Sequence, residues 1–149
     1  MDEFTKKMYL ELENRIEDKY KGSDFEIPPK CCIEMQEQFL EHVENTSLKT
    51  KFPVLEKYQN PMHTMQGGFI SAAFDNTIGP FSVLVAKKPA VSLELNTSFI
   101  SPVTTKDKEL IVEIFLISKS RSYLLMNGNA HNLKGKLIAT CTTRLKIID

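Results

Sequence analysis

Thr64–Ala86 reads TMQGGFISAAFDNTIGPFSVLVA and carries a single formal charge, Asp75. Phe69, Ile70, Phe74, Ile78 and Phe81 surround that carboxylate, and Val83–Val85 close the stretch. Apolar residues fall on every side of a 3.6-residue wheel, which predicts a helix buried all round. Gln66, Asp75, Asn76, Gly79 and Pro80 interrupt it too often for lipid. No apolar run approaches the ~18 residues that a membrane span needs. Pro80 offers no N–H to the carbonyl of Asn76, so a kink or break is expected there.

Beyond Lys88 the period switches from 3.6 to 2. Val91, Leu93, Leu95, Thr97 and Phe99 alternate with Ser92, Glu94, Asn96 and Ser98, the pattern of a half-buried strand. Leu110, Val112, Ile114 and Leu116 form a second inward face, and Leu124, Met126, Gly128 and Ala130 a third. Leu137, Ala139, Cys141, Thr143, Leu145 and Ile147 form the last. Residues 132–136, with Gly135 at the tip, make the turn before it. Asn127-Gly128 would also suit a hairpin turn, but the alternation around it is continuous and reads as strand. One buried helix followed by antiparallel strands able to enclose it resembles the hotdog architecture. That is an α+β fold in which a curved antiparallel sheet wraps a central helix.

Upstream, residues 2–20 predict another helix, with Phe4, Met8, Leu12 and Ile16 as an i, i+4 stripe and Gly22 and Ser23 as its stop. The stripe needs a surface to cover, which places this helix on the outside of the domain; the other reading is a partner-binding helix. Pro28-Pro29 forces an extended passage, and residues 31–38 favour neither helix nor strand. The chain thus divides into an N-terminal helix with an extended lead-in, residues 1–30, and a domain of residues 31–149. Phe39–Val43 and Leu48–Val54 predict two strands joined at Asn45-Thr46. Leu48, Thr50, Phe52 and Val54 share one face, and Lys49 and Lys51 the other.

Bulk composition narrows the partners. With 149 residues the chain can bury a sizeable core in one domain. Lys plus Arg and Asp plus Glu number 19 each, so no global field draws it to nucleic acid or an anionic membrane. Any phosphate must then be held by a local cluster. Cys31, Cys32 and Cys141 are odd in number, and two are adjacent, which argues against a disulfide framework and for a reducing, cytoplasmic setting. The first residues are too charged for a signal peptide.

Two features could carry chemistry. A carboxylate in an apolar helix costs energy unless it is paired or used. Asp75 is therefore either bonded into a polar seam or a general base or nucleophile. At Gln66-Gly67-Gly68, the first helical turn leaves N–H groups unsatisfied at the positive end of the dipole. Glycines there let a carbonyl oxygen approach those donors, as in an oxyanion hole; a tight turn before a crowded helix would use them equally well. Other chemistries lack their patterns. No G-x-S-x-G elbow, Walker loop or dinucleotide glycine motif is present. His42, His63 and His131 show no metal-ligand spacing, so no metal is expected. Lys87-Lys88, Lys119/Arg121 and Lys134/Lys136 are local basic pairs, each more often solvated surface than a phosphate clamp.

NPMHTMQGGFISAAFDNTIG resembles the N-P-x-G-x-x-H-G-G-x-x-x-x-x-x-D signature of the PaaI-like acyl-CoA thioesterases of the hotdog superfamily. The likeness continues through VSLELNTSFISP and GKLIATCTTRLKII and spans roughly Phe39 to Ile148. It implies that Asn60 helps place water or carboxylate, that the Gly67 N–H polarises the thioester carbonyl, and that Asp75 is the catalytic carboxylate. Ser92 matches a serine that some members use to hold the attacking water. Two positions depart from the pattern: Gln66 stands where the family has histidine, and His63 replaces the glycine after Asn-Pro-x. A glutamine amide can donate a hydrogen bond but cannot titrate.

Helix geometry adds a constraint of its own. Gly67 and Asp75 are eight residues apart, or about 12 Å along a helix. Two antiparallel helices related by a two-fold could bring one chain's Gly67 to the other's Asp75. The expectation is therefore a homodimer, or a dimer of dimers, with shared sites. It would hydrolyse a fatty or aromatic acyl thioester of coenzyme A or a carrier protein, with no cofactor beyond the coenzyme A of the substrate. Gln66 and Gly68 would assist at the carbonyl, Phe74 and Phe81 would line the acyl chain, and Lys119 and Arg121 would take the phosphates. The alternative is a non-catalytic protein that binds or senses acyl-CoA on the same fold.

Overall fold

The computed structural model describes residues 1–22 and 24–149. Six strands form one antiparallel sheet in the order β1-β2-β4-β5-β6-β3. They are β1 (Gln38–Val43), β2 (Ser47–Pro53), β3 (Ala90–Phe99), β4 (Glu109–Lys119), β5 (Tyr123–His131) and β6 (Leu137–Ile147). The helices are α1 (Glu3–Arg15), the short α2 (Lys30–Glu34) and α3 (Gly67–Ala86). α3 packs against β2, β3, β4, β5 and β6, so the sheet wraps it. By length and composition α3 could cross a membrane, but Phe74, Ile78 and Phe81 are wholly buried under the sheet.

Alternation sets the sheet's inner face. Leu48, Thr50, Phe52 and Val54 are buried, while Lys49 and Lys51 point outward to Glu113 and Glu109 on β4. Leu110, Val112, Ile114, Leu124, Met126 and Ala130 complete that face. Asn127-Gly128 lies within β5, not at a turn, with Gly128 opposite both Ile114 and Cys141. A methyl group on Gly128 would lie 2.6 Å from the Glu113 carbonyl oxygen, so the glycine permits close strand approach.

Several expectations are corrected. α3 runs unbroken through Pro80. The carbonyl of Asn76 that Pro80 leaves without its helical donor has the Cys32 thiol 4.0 Å away, and Pro80 is itself buried. Nor is α3 buried all round. Gly68, Ala72, Asp75 and Gly79 follow i, i+4, i+7, i+11 spacing, with Gly68 and Asp75 exposed and the other two half-buried. On β6 the inward residue is Ile138, while Leu137 is 40% exposed. A bulge opposite Ala130 and His131 inserts the extra residue and flips the alternation. β3 departs furthest: Val91, Leu93 and Phe99 are about half exposed, because β3 is an edge strand with a neighbour on one side only.

α1 is shorter than expected. Asp2 caps it by accepting from Thr5 N at 2.7 Å, and Met8, Leu12 and Ile16 are buried while Phe4 is 39% exposed. The helix ends at Arg15 because the following chain turns to the end of α3. Glu17 N–H donates to the Lys87 carbonyl, and Arg15 donates to the Leu84 carbonyl and to both oxygens of Glu44. Of the expected stop, Gly22 follows a 3-10 turn at Asp18–Tyr20, and Ser23 lies outside the described residues. α2 resolves the ambiguous stretch as one helical turn followed by Gln36 at φ 56°.

Candidate active site

Asp75 projects from the uncovered face of α3 toward the start of β3, and the Ser92 hydroxyl donates to its Oδ1 at 3.0 Å. Nearer the N-terminus of α3, Ser71 donates to Thr97 Oγ1 at 3.1 Å. The two contacts show that β3 runs back along α3. A bulge between Ser92 and Glu94 breaks the β3–β6 register at this point, the kind of irregularity that re-aims side chains beside functional sites. Asp75 and Ser92 lie at a cleft of about 490 Å³, a size typical of small-molecule sites. The N-terminal lead-in lines it through Phe25, Ile27 and Pro29, and α2 through Cys32. The carboxylate is exposed within one chain and stands at a cleft lined mainly by apolar residues, so it is not sealed in an apolar interior.

The first turn of α3 forms a second locus. Gln66 is the N-cap with an extended backbone and no side-chain capping bond; its own N–H donates to the Tyr58 carbonyl at 2.8 Å. The N–H groups of Gly67 and Gly68 have no acceptor among the described residues, so both point their donors outward from the helix's positive end. The Phe99 ring packs over Gly67: an added methyl group would lie 2.8 Å from Cζ. Gly67 therefore permits a close approach, whereas a methyl on Gly68 would meet only Gln66 Oε1 at 3.9 Å. Asn60 shapes the loop before the helix. Its Oδ1 accepts from Met62 N and Thr64 N, and its Nδ2 donates to Thr64 Oγ1 at 2.8 Å. Asn60, Gly67 and Phe99 line a cleft of about 500 Å³, separate from that of Asp75.

Four expected substrate contacts lie elsewhere in the chain. Phe74 and Phe81 are 0% exposed and are core residues, seven apart on the face of α3 that the sheet covers. Lys119 donates to the Val85 carbonyl at 3.0 Å, a cation at the C-terminal end of the helix dipole. Arg121 is exposed two residues further on. The Gly67 turn lies at the opposite end of α3.

Two arrangements were not visible in the spacing. Glu11, His42 and Glu44 converge in space, but Arg15 bridges both carboxylates at 2.6 and 2.7 Å, as expected of an ion-pair network. Burial lowers the His42 pKa. Behind the Asp75 cleft, Tyr9 donates to Glu37 Oε2 at 3.0 Å. Glu37 is 4% exposed, Oε1 has no hydrogen-bond partner among the described residues, and burial pushes its pKa up to about 7. Burial likewise raises the Cys32 thiol beside it far above the ordinary range.

Neither a protein-family model nor a curated protein sequence matches the chain. Solved structures do. The PaaI protein from the phenylacetic acid degradation operon of E. coli superposes with a TM-score of 0.75 at 13% identity, covering 82% of this chain and 86% of its own. A mutant form of the phenylacetic acid degradation protein PaaI from Thermus thermophilus gives 0.72 at 17%, covering 80% and 100%. Thioesterase superfamily member 2 from Mus musculus gives 0.74 at 16% and covers 98% of both chains, α1 included. Across such low identities the agreement lies in the architecture, and the chain has the hotdog fold that these proteins share.

Proposed function

We propose that the protein hydrolyses an acyl thioester, with coenzyme A as the carrier. The observation that carries this reading is the Ser92–Asp75 hydrogen bond at the mouth of a cleft. In the reaction, Asp75 takes a proton from water as the water oxygen bonds to the thioester carbonyl carbon. Ser92 holds the carboxylate, and the developing oxyanion lies on the outward N–H groups of the Gly67 turn. The tetrahedral intermediate collapses by breaking the C–S bond, and the proton passes to the departing thiolate. Free acid and thiol leave.

The reading requires two copies of the chain, because the Gly67 and Asp75 clefts are distinct within one. The edge of β3 suits a partner: its apolar Val91, Leu93 and Phe99 are half exposed, and one side of its backbone has no neighbouring strand. An antiparallel pairing of two such edges would set the two α3 helices side by side.

Release of free thiol from a panel of acyl-CoA substrates tests the reading. Turnover by the parent that falls ~100-fold or more in a folded Asp75→Asn variant is the expected result. Tight acyl-CoA binding with no turnover would mean the second reading, a binding or sensing protein.

A further inference from the structure

Granting the thioesterase reading, we infer that the Asp75 cleft is the acyl pocket. It fits an aliphatic chain of roughly eight to ten carbons, with Phe25 and Ile27 of the N-terminal lead-in closing it.

The cleft runs along α3 from Asp75 to Val83, about 12 Å at 1.5 Å per residue. Ser92, Val91 and Ala90 of β3, with Pro89 just before the strand, also line it. Phe25, Ile27 and Pro29 form the roof. A reacting carbonyl at Asp75 therefore stands at one end of an elongated space. An extended alkyl chain advances about 1.25 Å per carbon, from C–C bonds near 1.5 Å at tetrahedral angles. The helical length then takes about ten carbons, and a single aromatic ring fills only part of it.

Polarity selects the same occupant. Along α3 the polar side chains of the lining are already engaged: Ser82 Oγ donates to the Gly79 carbonyl at 2.6 Å, and Asn76 Nδ2 reaches Met35 Sδ at 3.3 Å. Cys32 Sγ faces the Asn76 carbonyl. Against the α3 wall a polar acyl tail would be buried without partners, at a cost that an alkyl tail avoids. Among the described residues no lysine or arginine lines the cleft, while Glu26 and Asp75 do. Phosphates of coenzyme A have no cation to meet there, so the carrier must leave through the mouth and only the acyl part occupies the cleft.

The test measures kcat/KM over saturated acyl-CoAs from butanoyl to hexadecanoyl, and in parallel the binding of non-hydrolysable S-alkyl-CoA thioethers of the same lengths. The parent should peak in both series near octyl to decyl. Phe25→Ala and Ile27→Ala should raise the tetradecanoyl-to-octanoyl ratio by about tenfold. Val83→Phe should lower it from the opposite wall, so the two changes have opposite signs. Turnover without a length optimum, or an optimum unmoved by all three variants, overturns the pocket assignment but leaves hydrolysis standing. A length optimum in thioether binding that moves as expected, without any turnover, supports the pocket and sinks the hydrolytic reading. Absence of both binding and turnover overturns both.

Discussion

Ser92 and Asp75, from different elements and 17 positions apart, meet at 3.0 Å with the serine as donor. The bond occupies one carboxylate oxygen and fixes the plane of the group, leaving Oδ2 for water. Hydrogen bonds to charged groups contribute about 1.5–3 kcal/mol, so Ser92→Ala should lower kcat roughly 10- to 100-fold with little change in KM. Asp75→Asn should cost more. Ser92→Ala should cost nothing further in the Asp75→Asn background; a full additional loss there would mean that Ser92 acts for itself and not through the carboxylate.

The architecture was legible because its signals are periodic. A long apolar helix followed by alternating runs leaves few ways to bury both, and Leu48, Leu110 and Leu124 lie inside as their spacing demands. The exceptions arise from information that periodicity does not carry. A single bulge exchanges Leu137 for Ile138, and no sequence period marks it. β3 alternates as a half-buried strand should, yet it lies at an edge, and strand order is a property of the whole sheet. The candidate site follows the same division. The signature places Asp75, Gly67 and Asn60 in chain order, but not the roof at Phe25 and Ile27 or the Phe99 ring over Gly67. Those contacts join distant segments through residues that look ordinary. Phe74 and Phe81 lie on the face of α3 that the sheet covers, and a wheel apolar on all sides does not say which face is open.

Gly128 is a second case where the sequence left two readings. In the strand reading its hydrogen faces the Glu113 carbonyl and Ile114 Cδ1, which a methyl group would approach to 2.6 and 2.5 Å. A backbone oxygen cannot move aside without disturbing the β4–β5 ladder. Gly128→Ala should therefore destabilise by about 1–3 kcal/mol, seen as a Tm lower by several degrees. Alanine has the better intrinsic strand preference, so a gain in Tm would contradict the packing described.

Glu37 should make stability depend on pH. Its pKa rises from an ordinary 4.5 to about 7, chiefly through burial, against the opposing influence of the nearby Cys32 thiol and the Tyr9 hydrogen bond. Between those values the folded protein keeps a proton that the unfolded chain releases. Stability is therefore full below about 4.5, declines as pH rises through the window and stays lower above about 7. Glu37→Gln removes the titration. Denaturation midpoints compared from pH 5 to 8 should show a smaller decline in the variant, and the slope is unaffected by any fixed offset from the new amide. Parallel profiles in the two proteins would place the Glu37 proton elsewhere.

Gly67 and Asp75 open onto separate clefts of one chain, about 12 Å apart along α3. If each working site takes its N–H donors from one copy and its carboxylate from the other, two inactive variants should restore each other. Asp75→Asn removes the base. Gly67→Val places a branched side chain where the Phe99 ring now packs and where the carbonyl must approach; Phe99 is 54% exposed, so the ring can swing aside and the chain still fold. In a mixed dimer the first chain offers an intact Gly67 and the second an intact Asp75, while the remaining site carries both lesions. Random assortment makes about half of the dimers mixed, each with one native site of two, so activity should return to roughly a quarter of the parent value. The chains are co-expressed with different tags, and mixed dimers are isolated by successive purification on each. Isolated mixed dimers should then reach about half of the parent's specific activity. Mixed dimers as inactive as either variant alone would place both groups in a site within one chain.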